Sequence, residues 1–197
     1  GTLSSATDNV GVGIGALDSV TSGLRNTVVG YVAGTAITSG QYNTAVGTFA
    51  LGTNSTSSYN TAIGRNALAA AIGAHNTAVG GLAGDSVAAG TYNTFLGYSA
   101  GQNITSGDGN VIIGKIDAGS ATGDRQLKIA GYDGSTTTTW ISGDSNGQVK
   151  LISGYVLEVA LTDAATITWN AATQPVAKVT LGASRTMGLP ANPVSGQ

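Results

Sequence analysis

Along more than half of the chain, apolar and polar positions follow one short phrase that repeats. An asparagine stands seven times with a glycine four residues behind it, at Asn9–Gly13, Asn26–Gly30, Asn43–Gly47, Asn60–Gly64, Asn76–Gly80, Asn93–Gly97 and Asn110–Gly114. The steps between the asparagines are 17, 17, 17, 16, 17 and 17 residues. That period is too short for two helices and a turn, and it suits one coil of a β-solenoid. Three positions after each asparagine stands an aliphatic residue: Val12, Val29, Val46, Ile63, Val79, Leu96 and Ile113. Seven positions after it stands Ala16, Ala33, Ala50, Ala67, Ala83 or Ala100, and Asp117 ends that series. The Asn-Thr-Ala-Val type segment between is a short β-branched strand, bounded by glycines that can take positive φ. The pattern predicts an all-β fold: a parallel β-solenoid or β-roll of seven 16–17-residue coils over residues 9–118, within a repeat region 1–118. Asn26 and Asn43 then become neighbours in adjacent coils, and the stack is roughly 30–35 Å long at about 4.8 Å per strand.

The asparagine column reads as an internal ladder at a turn, each amide bonding to the coils above and below. The column one position on (Val10, Thr27, Thr44, Thr61, Thr77, Thr94, Val111) is a candidate hydroxyl ladder. An even threonine row also raises ice binding, but that needs two regular columns on a flat face, and only one threonine column is regular. The residues just before the asparagine (Arg25, Tyr42, Tyr59, His75, Tyr92, Gly109) read as an outward rim. Three positions before it stand Gly23, Gly40, Gly73, Gly90 and Gly107, with Ala6 and Ser57 as exceptions. The one short coil keeps Ala67 and Gly73, so its missing residue lies between them, on the loop side of the coil. Positions two and three after the asparagine are both apolar, as in Val28-Val29, Ala45-Val46 and Phe95-Leu96. Adjacent strand residues point to opposite faces. One face therefore fills the coil and the other meets a partner chain, with self-association about the stack axis as the economical arrangement.

After Gly114 the asparagine–glycine period stops. Residues 119–125 read as a transition, and 126–197 as a small β-rich module. Strand character falls on Gln126–Ala130, Thr136–Ser142, Gln148–Ser153, Tyr155–Leu161, Ala165–Trp169 and Val176–Leu181, with tight-turn signals at Asp133-Gly134, Asn146-Gly147 and Ser153-Gly154. Trp140, Tyr155 and Trp169 are expected to close the hydrophobic end of the stack. The proline-containing stretch Leu189–Pro193 is extended or turn-like.

Composition narrows the chemistry. Only 9% of residues are charged, against about 25% in an ordinary soluble domain. Two phenylalanines and two tryptophans leave little ring volume for a thick core, while 31 glycines fit thin β-structure. With a net charge of −2 and no basic patch, a nucleic-acid surface is not expected. No apolar run approaches about 18 residues, so no membrane insertion is expected. There is no cysteine for disulfides or thiolate metal sites. His75, the sole histidine, occupies the rim, and its replacement is expected to matter little. The carboxylates Asp124, Asp133, Asp144, Glu158 and Asp163 mostly fall at turns, whereas glycoside hydrolysis needs two at a set separation in one cleft. Asp144-Ser145-Asn146-Gly147 starts like a calcium loop but lacks the closing glutamate, and a turn is the better reading. Asn54-Ser55-Thr56 and Asn103-Ile104-Thr105 are formal glycosylation acceptors. No catalytic, cofactor-binding or metal residue is expected, and no cofactor.

Two of these phrases carry a family resemblance. Gly40-Gln41-Tyr42-Asn43-Thr44-Ala45-Val46-Gly47-Thr48-Phe49-Ala50-Leu51 and Gly90-Thr91-Tyr92-Asn93-Thr94-Phe95-Leu96-Gly97-Tyr98-Ser99-Ala100 resemble the repeats of bacteriophage tail fibres. They are also similar to the head repeats of trimeric autotransporter adhesins, whose coils are shorter. In the second half, Ala165-Thr166-Ile167-Thr168-Trp169, Ala177-Lys178-Val179-Thr180-Leu181, Ser184-Arg185-Thr186-Met187-Gly188-Leu189-Pro190 and Pro193-Val194-Ser195-Gly196-Gln197 resemble phage fibre modules. The resemblance implies a homotrimeric, non-enzymatic rod on a virion, adjoining other fibre segments and tail proteins. The whole fibre would meet a host surface glycan or protein, and these coils would be a structural spacer supporting attachment. The alternatives are the head of a trimeric bacterial surface adhesin and a tailspike-like polysaccharide-degrading enzyme.

Overall fold

The computed structural model describes residues 7–151 and the short strand segments 159–160, 166–167, 177–178 and 186–187. It is all-β, a parallel β-solenoid of seven turns. The coil strands are β1 (Val10–Val12), β2 (Thr27–Val29), β3 (Thr44–Val46), β4 (Thr61–Ile63), β5 (Thr77–Val79), β6 (Thr94–Leu96) and β7 (Val111–Ile113). Each is three residues long and occupies the positions directly after the repeated asparagine. They pair in parallel and in register, equivalent on equivalent: Thr27 with Thr44, Val28 with Ala45, Val29 with Val46, and so on up the stack.

The glycine after each strand is required by its neighbour as well as by its own backbone. Gly47 has φ 131°, a conformation side chains rarely adopt. A Cβ there would also sit 2.6 Å from the carbonyl oxygen of Gly64 in the next coil. The second glycine column makes an equally close approach, since a Cβ on Gly40 would lie 2.4 Å from the Ser57 carbonyl oxygen. Ser57, the exception in that column among the described residues, faces the short coil, where its hydroxyl donates to the Ile72 carbonyl.

The core is a set of parallel columns. The strand residue two positions after the asparagine points inward, as Val28, Ala45, Ala62, Ala78, Phe95 and Ile112, all fully buried. The alanine column is buried from Ala33 to Ala100. A column not picked out in the sequence, Val20, Ile37, Ala71, Val87 and Ile104, fills the far side. Sizes are matched across the coil. Ala45 and Ala62 sit in coils that supply Leu51 and Leu68, while Phe95 lies between Gly84 and Gly101, where an added Cβ would meet its ring at 2.5 and 2.4 Å. Such pairing keeps a thin interior close-packed along its length.

Inside this frame runs the asparagine ladder, buried from Asn26 to Asn110. The Oδ1 of Asn26 accepts from the backbone N–H of Asn43 at 2.9 Å and from its Nδ2 at 3.1 Å. Asn43 Nδ2 also donates to the Ser57 carbonyl at 2.9 Å, and Asn43 Oδ1 accepts from the Asn60 N–H at 3.0 Å. The backbone carbonyl of Asn43 accepts from Thr27 N at 2.9 Å. Around the short coil, at Asn60 and Asn76, the amide-to-amide bond is missing, while the backbone bonds persist at 3.0 and 2.9 Å.

The repeat outlasts its sequence signature. Gln126 takes the next rung, its N–H and Nε2 both donating to Asn110 Oδ1 at 2.8 and 3.1 Å. Its Oε1 turns back to accept from Ser120 N at 2.7 Å, so the ladder ends on the loop rather than on an open acceptor. The strand β8 (Leu127–Tyr132) then pairs with β7 in parallel, and the compact unit extends to Lys150. Only after β8 does the chain reverse, through the turn Asp133–Thr136, into the antiparallel β9 (Thr137–Gly143) and then β10 (Val149–Leu151). Asp133 accepts from the N–H groups of Ser135 and Thr136 at 2.8 and 2.7 Å. Those bonds, Thr136 first, hold its carboxyl below the usual range. The turn's electrostatic support is thus present above the ordinary aspartate range and is lost as pH falls through the lowered value. Trp140, half exposed, packs over Gly131 of the same hairpin rather than closing the end of the stack. The second compact unit, Leu151–Gln197, contains β11 (Val159–Ala160) paired in parallel with β13 (Ala177–Lys178), and β12 (Thr166–Ile167) with β14 (Thr186–Met187). Ser153-Gly154, Tyr155, Trp169 and Leu189–Pro193 lie outside the described residues.

Asn43→Ala removes one rung and leaves the Asn60 N–H, the Asn26 Oδ1 and the Ser57 carbonyl short of partners. At about 1–3 kcal/mol for a buried unsatisfied group, chemical unfolding should show a loss of at least about 3 kcal/mol. A loss below about 1 kcal/mol would mean that the ladder is not under tension from its neighbours.

Candidate functional surfaces

The interior is packed, with Asn54 Nδ2 and Asn66 Oδ1 the buried side-chain polar atoms that lack a partner among the described residues, so the candidate functional surfaces are the outward columns. The residues one and three positions after each asparagine share the outer sheet face. Val12, Val29, Val46, Ile63 and Leu96 are all exposed there, Val29 by 36% and Val12 by 56%. The threonines lie beside them, exposed or half-buried. No hydrogen bond joins the threonine hydroxyls of this column among the described residues, so the candidate hydroxyl ladder is not formed. What exists is a striped face, hydroxyl beside aliphatic, running from the second coil to the sixth.

The rim column has an order that the sequence did not reveal. Asp8, Arg25, Tyr42, Tyr59, His75, Tyr92, Gly109 and Arg125 all have φ between 49° and 65°, the left-handed region. Each N–H from Arg25 onward donates to a carbonyl of the preceding coil, for example Tyr59 N to Gln41 O at 3.0 Å and Gly109 N to Thr91 O at 2.9 Å. The turn therefore aims successive side chains the same way. Tyr42 and Tyr59 stack with centroids 4.9 Å apart and planes 7° from parallel. Tyr59 and His75 follow at 5.0 Å and 3°, and His75 and Tyr92 at 4.7 Å and 2°. Arg25 caps the lower end, with its guanidinium carbon 5.4 Å from the Tyr42 centroid and a hydrogen bond to the Tyr42 hydroxyl. That bond and the tyrosine's field, with Asp8 at 3.5 Å as a weaker cause, raise the Arg25 pKa. On another edge, Lys115 Nζ lies 3.9 Å from the Tyr132 centroid and 5.9 Å from that of Tyr98.

Among the described residues, the candidate catalytic and modification residues do not converge. Asp133 and Asp144 are held in turns, the latter accepting from Asn146 N at 2.9 Å and Gln148 N at 3.1 Å, which is the turn expected in place of a calcium loop. Asp124 accepts from Asp108 N at 2.9 Å, and Glu158 and Asp163 lie outside the described residues. No group of three His, Cys, Asp or Glu residues capable of holding a metal occurs among the described residues. Of the two formal glycosylation acceptors, Asn54 is fully buried in the inner aliphatic column. Asn103 spends its amide on Ala118, donating at 3.0 Å and accepting at 2.9 Å. No helix among the described residues is long and apolar enough to cross a membrane. Compared with protein-family models, curated proteins and solved structures, the chain has no match.

His75, read from the sequence as a replaceable rim residue, is an inner rung of the stack, between Tyr59 and Tyr92. Its removal deletes two stacked contacts, each worth about 0.5–1.5 kcal/mol in favourable settings. His75→Ala should cost about 1 kcal/mol in urea unfolding, and His75→Tyr should restore it. Equal stability of the three forms would show that the stack contributes nothing.

Proposed function

We propose that the coil stack is a non-enzymatic, rigid segment of a homotrimeric bacteriophage tail fibre, joined to further fibre segments and supporting attachment of the virion to its host. The observation that carries this reading is the apolar stripe on the outer sheet face, exposed at Val12, Val29, Val46, Ile63 and Leu96 and half-buried at Val79, beside the threonine column. At about 4.8 Å per strand and about 10 Å of width the strip covers on the order of 300 Å², comparable with the largest apolar patch of an ordinary monomer, a patch that is often functional. A second and third copy of the same chain bring an identical stripe with the identical repeat, so every coil finds its complement under rotational symmetry. The coil repeats and the second-half modules resemble phage fibre sequence, which favours a virion over a bacterial surface.

Two aspartate substitutions separate folding from assembly. Ala45→Asp places a charge in the sealed interior and should abolish folding. Val46→Asp places it on the outer stripe and should leave the circular dichroism spectrum native while sedimentation equilibrium falls from three times the 19.3 kDa chain mass to a single chain. A wild-type protein that sediments as one chain at micromolar concentration would sink the trimer. The parent sequence downstream of Gln197 tests the virion. Further fibre modules with a tip or chaperone domain support it, and a coiled-coil stalk with a membrane barrel would transfer the rod to an adhesin. Release of oligosaccharides from bacterial polysaccharide by the purified chain would overturn the non-enzymatic reading.

A further inference from the structure

The rim stack stops for want of a side chain. Above Tyr92 the next member of the column is Gly109, and above that is Arg125. The backbone does not break, because Gly109 N and Arg125 N both keep their bonds to the coil below, at 2.9 and 2.7 Å. The conformation does not demand glycine either. Tyr42, Tyr59, His75 and Tyr92 hold φ of 56–62° at the same turn position, against 65° at Gly109. A Cβ on Gly109 would meet only the Arg125 Cγ, at an ordinary 3.5 Å. The consequence is one rung with no side chain of its own between Tyr92 and Arg125. Two coil steps of about 4.8 Å leave room for a single ring with normal stacking distance on either side. Tyr92 is correspondingly the most exposed tyrosine of the stack, at 64% against 53% for Tyr59 and 38% for Tyr42.

We propose that this slot, formed by Tyr92, Gly109 and Arg125, binds a single pyranose ring of a neutral carbohydrate. The charged residues beside it in the chain select among ring-shaped ligands. Asp108 and Asp124 stand beside Gly109 and Arg125 in the chain. One oxygen of Asp108 accepts from Thr91 N and Oγ1, at 2.6 and 2.9 Å, and one of Asp124 accepts from Asp108 N at 2.9 Å. The second oxygen of each has no hydrogen bond among the described residues. Two carboxylates disfavour an anionic ring, and Arg125 disfavours a cationic one. A bare aromatic ring would leave all three groups idle. A pyranose offers an apolar C–H face to Tyr92, hydroxyl donors to the carboxylates and hydroxyl acceptors to the guanidinium. The slot is a property of the coil stack and does not depend on the fibre assignment.

The test is an NMR titration of the assembled protein with the methyl pyranosides of glucose, galactose, mannose and N-acetylglucosamine, each to about 20 mM, a range suited to millimolar affinity. At least one should shift the Gly109 amide and the Tyr92 ring signals saturably. Gly109→Tyr fills the rung with a residue the column already accepts, so it should stay folded and weaken that response at least about tenfold. Tyr92→Ala should do the same, and Ile14→Ala, exposed in the first coil, should not. No saturable shift with any of the four sugars overturns the proposal, as does undiminished binding by folded Gly109→Tyr. Binding of indole at the slot with no response to any sugar would overturn the carbohydrate assignment.

Discussion

A buried primary amide must place two donors and an acceptor with two lone pairs, or lose the free energy of leaving them empty. Everything else in the coil stack depends on how the asparagine column meets that demand. The Asn26 oxygen takes both its bonds from Asn43, through the backbone N–H and Nδ2, and its nitrogen donates to Asn9 and to the Gly40 carbonyl. No group on the side chain is spare. The same bonds fix which residue of one coil lies over which residue of the next, because a slip of one position would set most amides in the column against a threonine or a rim residue instead of an asparagine. Register in a flat, short-stranded sheet is otherwise weakly specified. Three-residue strands add little of their own, so the ladder makes a thin solenoid definite.

From that registration the other columns follow. The turn before each amide is left-handed, which orients the rim side chains alike and lets a tyrosine, a histidine and two more tyrosines lie as parallel plates. Left-handed φ on bulky residues costs on the order of 1 kcal/mol each, and the stacking contacts offset part of it. The strand after the amide sends alternate residues in and out, sealing Ala45 and Phe95 while leaving Val46 and Leu96 on the surface. One interaction thus generates both a packed interior and two ordered outer faces, the apolar stripe and the aromatic rim.

The parts legible in the sequence were those in which a single residue type recurs. Asparagine and the glycine four residues after it recur in all seven coils, and alanine holds its column in six, so the coil length, the internal ladder and the parallel strands could be read directly. Columns that tolerate exchange were harder. The inner column from Val20 to Ile104 is aliphatic at most rungs but carries Asn54 at one, which hid it and made a buried amide look like a glycosylation acceptor. The rim looked merely variable, because tyrosine, histidine and arginine share planarity rather than polarity, and their common signal, left-handed φ, has no sequence mark outside glycine. Gln126 was missed as the last rung because its extra methylene serves to turn the amide back onto Ser120. The empty rung at Gly109 became visible only once the plates on one side of it were seen to stack.

Hydrogen exchange of the ladder under native conditions tests the central claim most directly. If the amides act as one cooperative column, the backbone N–H groups of Asn43, Asn60, Asn76, Asn93 and Asn110, each bonded to the preceding side-chain oxygen, exchange only through global unfolding. They then share one opening free energy, and the side-chain amides of Asn43, Asn93 and Asn110 exchange slowly with them. Graded opening energies, with any of these backbone N–H groups exchanging through local fluctuation while its neighbours stay protected, would contradict the account.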